Sequence, residues 1–154
     1  MTTPFHLQPL LNLAQNNNES ATRRLGQLNK LEHDAQTQLN TLLEYRKDYL
    51  KRLQTASTES MDPAILRNFQ EFIYKLDAAI AQQMRAVEQS RLSTQAGRND
   101  FSTTQRKLKS FDTLQQRHIE TQSKAEAKLE LRAMDEHTGR ATTYKMQKSE
   151  DQPH

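Results

Sequence analysis

Strides of four and three residues, taken alternately from Leu7, land on Leu11, Ala14, Asn18, Ala21, Leu25, Leu28, Glu32, Ala35, Leu39, Leu42, Arg46, Tyr49, Leu53 and Ala56. Only Asn18, Glu32 and Arg46 interrupt this apolar series. The spacing predicts a heptad seam kept for about seven repeats along one helix, residues 8–57. Glu32 and Arg46 within the seam read as residues that fix register at some cost in stability, in preference to charged binding determinants. The pattern breaks at "TASTESMDP", which predicts a turn at 58–62. Asp62 then Pro63 suits a helix start: an N-cap acceptor followed by a residue whose missing N–H is not needed in the first turn.

A second seam runs through Leu66, Phe69, Ile73, Leu76 and Ile80, weakens through Gln83, Val87, Ser90, Thr94 and Gly97, and recovers at Phe101, Leu108 and Phe111. No proline lies between Pro63 and Pro153. The expectation is one long helix over 63–138, with Gly139 as a C-terminal cap and a frayed or disordered tail at 139–154. So short a linker makes the helices antiparallel neighbours, with residue i near residue ~119 minus i. The chain is therefore expected to be a single all-α domain spanning 1–154. Its fold would be a long two-helix antiparallel coiled-coil hairpin, tight near the turn and looser near the chain ends. Beyond residue 118 the second helix would overhang the first and project alone.

Composition fits such a fold. Only 34% of the 154 residues are hydrophobic, there are three glycines, and 27% are charged with both signs mixed. A compact globule would lack core at that composition, whereas exposed helices do not need one. The net charge of +3 is small and unclustered, which argues against nucleic acid as a partner. No apolar run is long enough to span a bilayer. "MTTPFHLQPLLNLAQNNN" lacks the positive n-region of a secretory signal. The absence of cysteine removes disulfides and thiolate sites, and leaves a reducing cytosol as the expected compartment. His6, His33, His118, His137 and His154 do not have the spacing of a helical metal site, and three glycines cannot build a phosphate loop. Neither metal, cofactor nor catalysis is expected.

The stretch "NFQEFIYKL", residues 68–76, concentrates aromatic side chains. On a helical wheel Phe69, Ile73, Leu76 and Ile80 point into the seam. Phe72 is rotated to its flank, accompanied by Ala79 and Gln83. The hairpin register brings Leu42 and Tyr45 of the first helix nearby, with Tyr49 one turn away. Two readings stand open from the pattern alone. Leu42, Tyr45, Phe72, Leu76 and Ala79 form a partly exposed patch for a partner, or Phe72 and Tyr45 lie against each other along the coil.

In "LLEYRKDYLKRL", "NFQEFIYKLDAAIAQQ", "RKLKSFDTLQQRH" and "MDEHTGR", in that order and spacing, the chain resembles the flagellar export protein family FliJ. The resemblance covers nearly the whole sequence and coincides with the two-helix layout. It implies a non-catalytic stalk of the flagellar type III export apparatus, inserted in the central hole of a hexameric export ATPase and touching a transmembrane export-gate protein. It also implies escort of empty export chaperones. Such a protein would be cytoplasmic, peripherally associated with the inner membrane, not inserted in it, and monomeric when free. The overhang at 119–138, thin, mixed in charge and free of large sticky side chains, would suit the hole. The gate-facing stripe of the family carries over onto Phe72, Leu76, Ala79 and Gln83, where Gln83 departs from the His expected in close relatives. Leu42, Tyr45 and Tyr49 would extend that surface from the first helix.

Other readings remain. An injectisome stalk protein would share the architecture. A polyanion-binding coiled coil would use Arg98, Arg106, Lys107 and Lys109, and a self-assembling filament or tether would be a dimer or larger.

Overall fold

The computed structural model describes residues 3–59 and 61–150. They form two helices, α1 (Gln8–Thr58) and α2 (Pro63–Glu150), with no strand among the described residues. The fold is the all-α helical hairpin expected from the two seams. Pro9 is accommodated in the first turn of α1, where its missing N–H is no loss. At the start of α2 the Asp62 carboxylate accepts from the Ala64 N–H at 3.3 Å and its carbonyl accepts from the Ile65 N–H at 3.0 Å. Asp62 thus supplies the cap that the sequence suggested. Of the expected turn 58–62, Thr58 belongs to α1 and Ser60 lies outside the described residues.

The end of α2 corrects an expectation. The helix does not stop at 138 but runs through Gly139 to Glu150, and Gly139 keeps a helical backbone instead of the left-handed one of a cap. A lone glycine in a helix costs only about 1 kcal/mol relative to alanine, and "RATTYKMQK" beyond it contains no proline. Lys148 in the last turn also favours the negative end of the helix dipole. The remainder of the expected tail, 151–154, lies outside the described residues.

The contacts fall into two units. In the unit Asn16–Arg106 the core is Leu39, Leu76 and Ile80, with Leu42 and Val87 packed against it. Fully burying each such side chain contributes roughly 1.5–3 kcal/mol. Farther along this unit the helices pack closely where the seam reads weakest. Thr94 is 1% exposed. Its hydroxyl sits 3.0 Å from the Ser90 carbonyl and 3.3 Å from that of Leu28, so its one proton is shared between its own helix and α1. Leu28 Cδ1 lies 2.6 Å from where a Cβ on Gly97 would stand. The small residues are a landing place for Leu28, not a gap. Register is close to that expected at Gln83, which meets Ala35, and has advanced by about one turn of helix at Thr104, whose hydroxyl meets Asn18 Oδ1 at 3.2 Å.

The second unit contains the described residues of Met1–Gln15 and Lys107–His154. Here Leu11 is 1% exposed and Ala14 6%, which overturns the expectation of looser packing toward the chain ends. Polar side chains close the contact: Gln115 Nε2 donates to Gln8 Oε1 at 3.2 Å, and Gln122 Nε2 to the Thr3 carbonyl at 2.5 Å. His118 Nε2 lies 2.9 Å from the same carbonyl, and the Phe5 ring packs on His118 at 5.5 Å. Beyond Gln122 every described residue of α2 is exposed, so Ser123 to Glu150 is a single unpartnered helix. It is not free of large apolar side chains, as the sequence reading held for 119–138. Ile119, Leu129, Leu131 and Met134 are all at least half exposed. At ~100° per residue Ile119, Met134 and Leu131 fall within an arc of roughly 120°, and Leu129 lies on the other side of Ile119.

Candidate partner-binding surface

Within the Asn16–Arg106 unit, Phe72 and Tyr49 are neighbours because both flank the same side of the seam. Their ring centroids are 4.3 Å apart with planes inclined by 36°, and Tyr49 also packs on Phe69 at 4.8 Å. Tilted ring pairs at such separations are attractive beyond their area. Tyr49 is half-buried between helices, while Phe72 keeps 43% of its surface exposed and Tyr45 62%. No ring contact joins Tyr45 to Phe72. The two alternatives left open by the pattern are thereby separated: Phe72 does lie against a tyrosine, but the tyrosine is Tyr49, and the outer face of Phe72 stays in solvent.

The remaining predicted residues are graded inward. Leu76 is buried in the core at 7% exposure, Ala79 is half-buried, and Leu42 is half-buried against the core cluster. Gln83 is half-buried too, and its Nε2 donates to the Ala35 carbonyl across the hairpin at 2.8 Å. A glutamine at this flank therefore ties the helices together with the amide that would otherwise point outward. Leu42 and Gln83, with Thr37, Gln38 and Thr41, line an open groove of about 290 Å³. The three α1 residues were not singled out from the sequence, although Gln38 precedes Leu42 by four residues, and Thr41 follows Gln38 by three and Thr37 by four, which makes the set continuous on the helix.

Charge at the seam is local. Arg46 Nε bonds to Asp77 Oδ1 at 2.6 Å, with both side chains partly exposed, and this carboxylate holds the guanidinium pKa above its ordinary value by hydrogen bond and charge. Arg46 fixes register by pairing across the hairpin. Glu32 is half-buried, and its charge acts across the hairpin on Arg91. On α2, Arg91 donates to both Glu88 oxygens at 2.6 and 3.0 Å and holds that carboxyl below its ordinary range. Arg98, Lys107 and Lys109 are exposed, and Arg106 bonds to Ser102. Among the described residues no group of acidic and histidine side chains is placed to hold a metal, and no helix is long and apolar enough to cross a membrane.

A helical hairpin that carries its apolar aromatic surface on the outside, over a core only one layer thick, defines a coiled-coil interaction protein. The sequence matches the family described as Flagellar FliJ protein over residues 4–147, and the chain belongs to that family. It is 29% identical over 139 residues to the Flagellar FliJ protein of Escherichia coli (strain K12), covering 90% of this chain and 95% of the relative. To the Flagellar FliJ protein of Salmonella typhi it is 27% identical over the same shares of both chains. It is thus a component of flagellar protein export.

Proposed function

We propose that the chain is the non-catalytic stalk of the flagellar export apparatus, engaging the hexameric export ATPase through one part of α2 and the transmembrane export-gate protein through another. The observation that carries this reading is the run from Ser123 to Glu150, a helix with every described residue exposed and no partner from α1. A lone helix of balanced charge has nothing to gain from projecting into water unless something surrounds it. The ring of ATPase subunits is that surrounding, and the spread of Leu129, Leu131, Met134, Tyr144 and Met146 around the helix offers each subunit a similar, weak apolar hold. A shaft held weakly on all sides is not trapped against one.

The gate protein meets the surface around Phe72, with Tyr45 and the borders supplied by Leu42, Ala79 and Gln83. Leu76 and Tyr49 act from behind, as the packing that fixes Phe72. The protein also escorts export chaperones, works in the cytoplasm at the inner membrane, and is monomeric when free. It uses no cofactor. The test is binding of the purified gate protein to the Phe72→Ala variant. Affinity should fall by roughly tenfold or more, the effect of losing an interface anchor, while far-ultraviolet circular dichroism is unchanged. Undiminished gate binding with lost helicity would assign Phe72 to the core instead.

A further inference from the structure

The Phe72 flank is one of two sides of the hairpin in the Asn16–Arg106 unit. On the other side, Leu50 and Leu53 of α1 and Gln70, Ile73, Tyr74 and Asp77 of α2 line an open groove of about 430 Å³. The two surfaces share no side chain: at ~100° per residue, Phe72 falls to one side of Phe69, and Ile73, Asp77, Gln70 and Tyr74 fall to the other. Tyr74 is 79% exposed, more than any other large hydrophobic side chain among the described residues, and no ring packs on it. Heptad spacing continues the same side. Leu43 precedes Leu50 by seven residues, Leu66 precedes Ile73 by seven, and Met84 follows Asp77 by seven; the three are 41%, 38% and 50% exposed. A seam of fewer than a dozen buried positions does not spend three such residues and a tyrosine on solvent without consequence for association.

The border of the groove is basic. Lys47, three residues before Leu50, and Lys51, directly after it, flank the α1 wall. Arg67, seven before Tyr74, flanks the α2 wall. All three are exposed and make no ion pair. The one acid in the lining, Asp77, is held by Arg46 at 2.6 Å. On the wheel Glu44 and Asp48 lie roughly 20° and 60° beyond Lys51, and Glu71 roughly 40° beyond Arg67, each farther from the groove than its basic neighbour. A second copy of the chain docking here by two-fold symmetry would set this basic border against its own image, which like charges oppose.

We propose that this groove is a second docking site, for an amphipathic helix of a partner protein whose apolar stripe is bordered by Asp and Glu, and that it acts independently of the Phe72 surface. Leucine-sized anchors at i, i+3 or i+4, and i+7 would seat between Leu50 and Leu53 on one wall and Ile73 and Tyr74 on the other. The acidic border would meet Lys47, Lys51 and Arg67, adding specificity and on-rate more than raw affinity. Nothing in this inference depends on which protein meets Phe72.

The experiment uses the full chain and two synthetic helical peptides with the same leucine stripe, one bordered by Glu and one by Lys, with binding followed by fluorescence anisotropy. The Glu-bordered peptide should bind, and the Lys-bordered one should bind at least several-fold more weakly. Tyr74→Ala should weaken the acidic peptide by roughly tenfold, as should Lys47→Glu combined with Lys51→Glu, while Phe72→Ala leaves it unchanged. Circular dichroism of each variant checks that the helices persist; Tyr74 is exposed enough for its truncation to leave them intact. Absence of binding, equal binding of both peptides, or equal sensitivity to Phe72→Ala and Tyr74→Ala overturns the proposal. So does sedimentation of the protein alone as a dimer that Tyr74→Ala dissociates, which would make a second copy the occupant.

Discussion

The ring of Tyr49 stands 4.3 Å from that of Phe72, on the opposite helix of the hairpin. Tyr49 is the support and Phe72 the presented face, so the two truncations should differ in kind. Tyr49→Ala should lower stability and weaken gate binding only through loss of support, whereas Phe72→Ala should weaken binding with little change in unfolding. A double-mutant cycle on stability should show a coupling of about 0.5–1.5 kcal/mol. A coupling near zero would mean the rings are neighbours without being partners.

Leu76 sits four residues from Phe72 but in the core, at 7% exposure. Leu76→Ala should therefore cost about 2–5 kcal/mol of stability, read by urea unfolding. Any loss of gate binding should follow the unfolded fraction. If Leu76→Ala left unfolding unchanged and reduced binding as Phe72→Ala does, the residue would belong to the interface itself.

Leu28 closes over Gly97, and a methyl there crowds only the flexible end of that leucine, with Leu25 Cδ1 at an ordinary 3.6 Å. Gly97→Ala should be within about 1 kcal/mol of wild type, because better helix propensity offsets the shift of Leu28. Gly97→Leu has no such room and should be destabilising by about 1–3 kcal/mol, the range for overpacked sites. Chemical denaturation of the pair gives both values.

The Glu88 carboxyl titrates below its ordinary value because Arg91 hydrogen-bonds it. Folding thus favours its ionised form. The contribution is complete above the unfolded-state value and is lost as pH falls through the lowered folded-state value. Between about pH 6 and about pH 3, wild type should lose slightly more stability than Glu88→Gln, with the small size expected of an exposed pair. Parallel melting curves would show that the pair contributes nothing.

The fold was legible because both seams follow one period. Leu39, Leu76 and Ile80 lie where the heptads put them, and Asp62–Pro63 marks the start of α2 as capping chemistry predicts. What escaped the pattern was packing that does not depend on apolar residues. Thr94 and Gly97 read as a weak seam, yet their small size admits Leu28 closely, and a hydroxyl can be buried when a carbonyl shares its proton. Gly139 read as a stop because glycine often caps helices, but nothing after it breaks the helix. At the candidate surface, the wheel placed Phe72 correctly on the flank, but the expected register set Tyr45 beside it and Tyr49 one turn away, where the structure has Tyr49 as its neighbour. That difference depends on a register shift smaller than one turn. Gln83 reads both as a weak seam position and as a member of the Phe72 flank, and only its bond to the Ala35 carbonyl reveals its role across the hairpin.

The central claim, that separate parts of one chain serve the ATPase and the gate, is tested most directly by capture of the purified export ATPase and export-gate protein with two forms of the full protein. One form ends after residue 118, and the other carries Phe72→Ala. The truncated form should lose the ATPase and keep the gate, and Phe72→Ala should lose the gate and keep the ATPase. Loss of both partners by either form, with its hairpin still helical, would contradict the division.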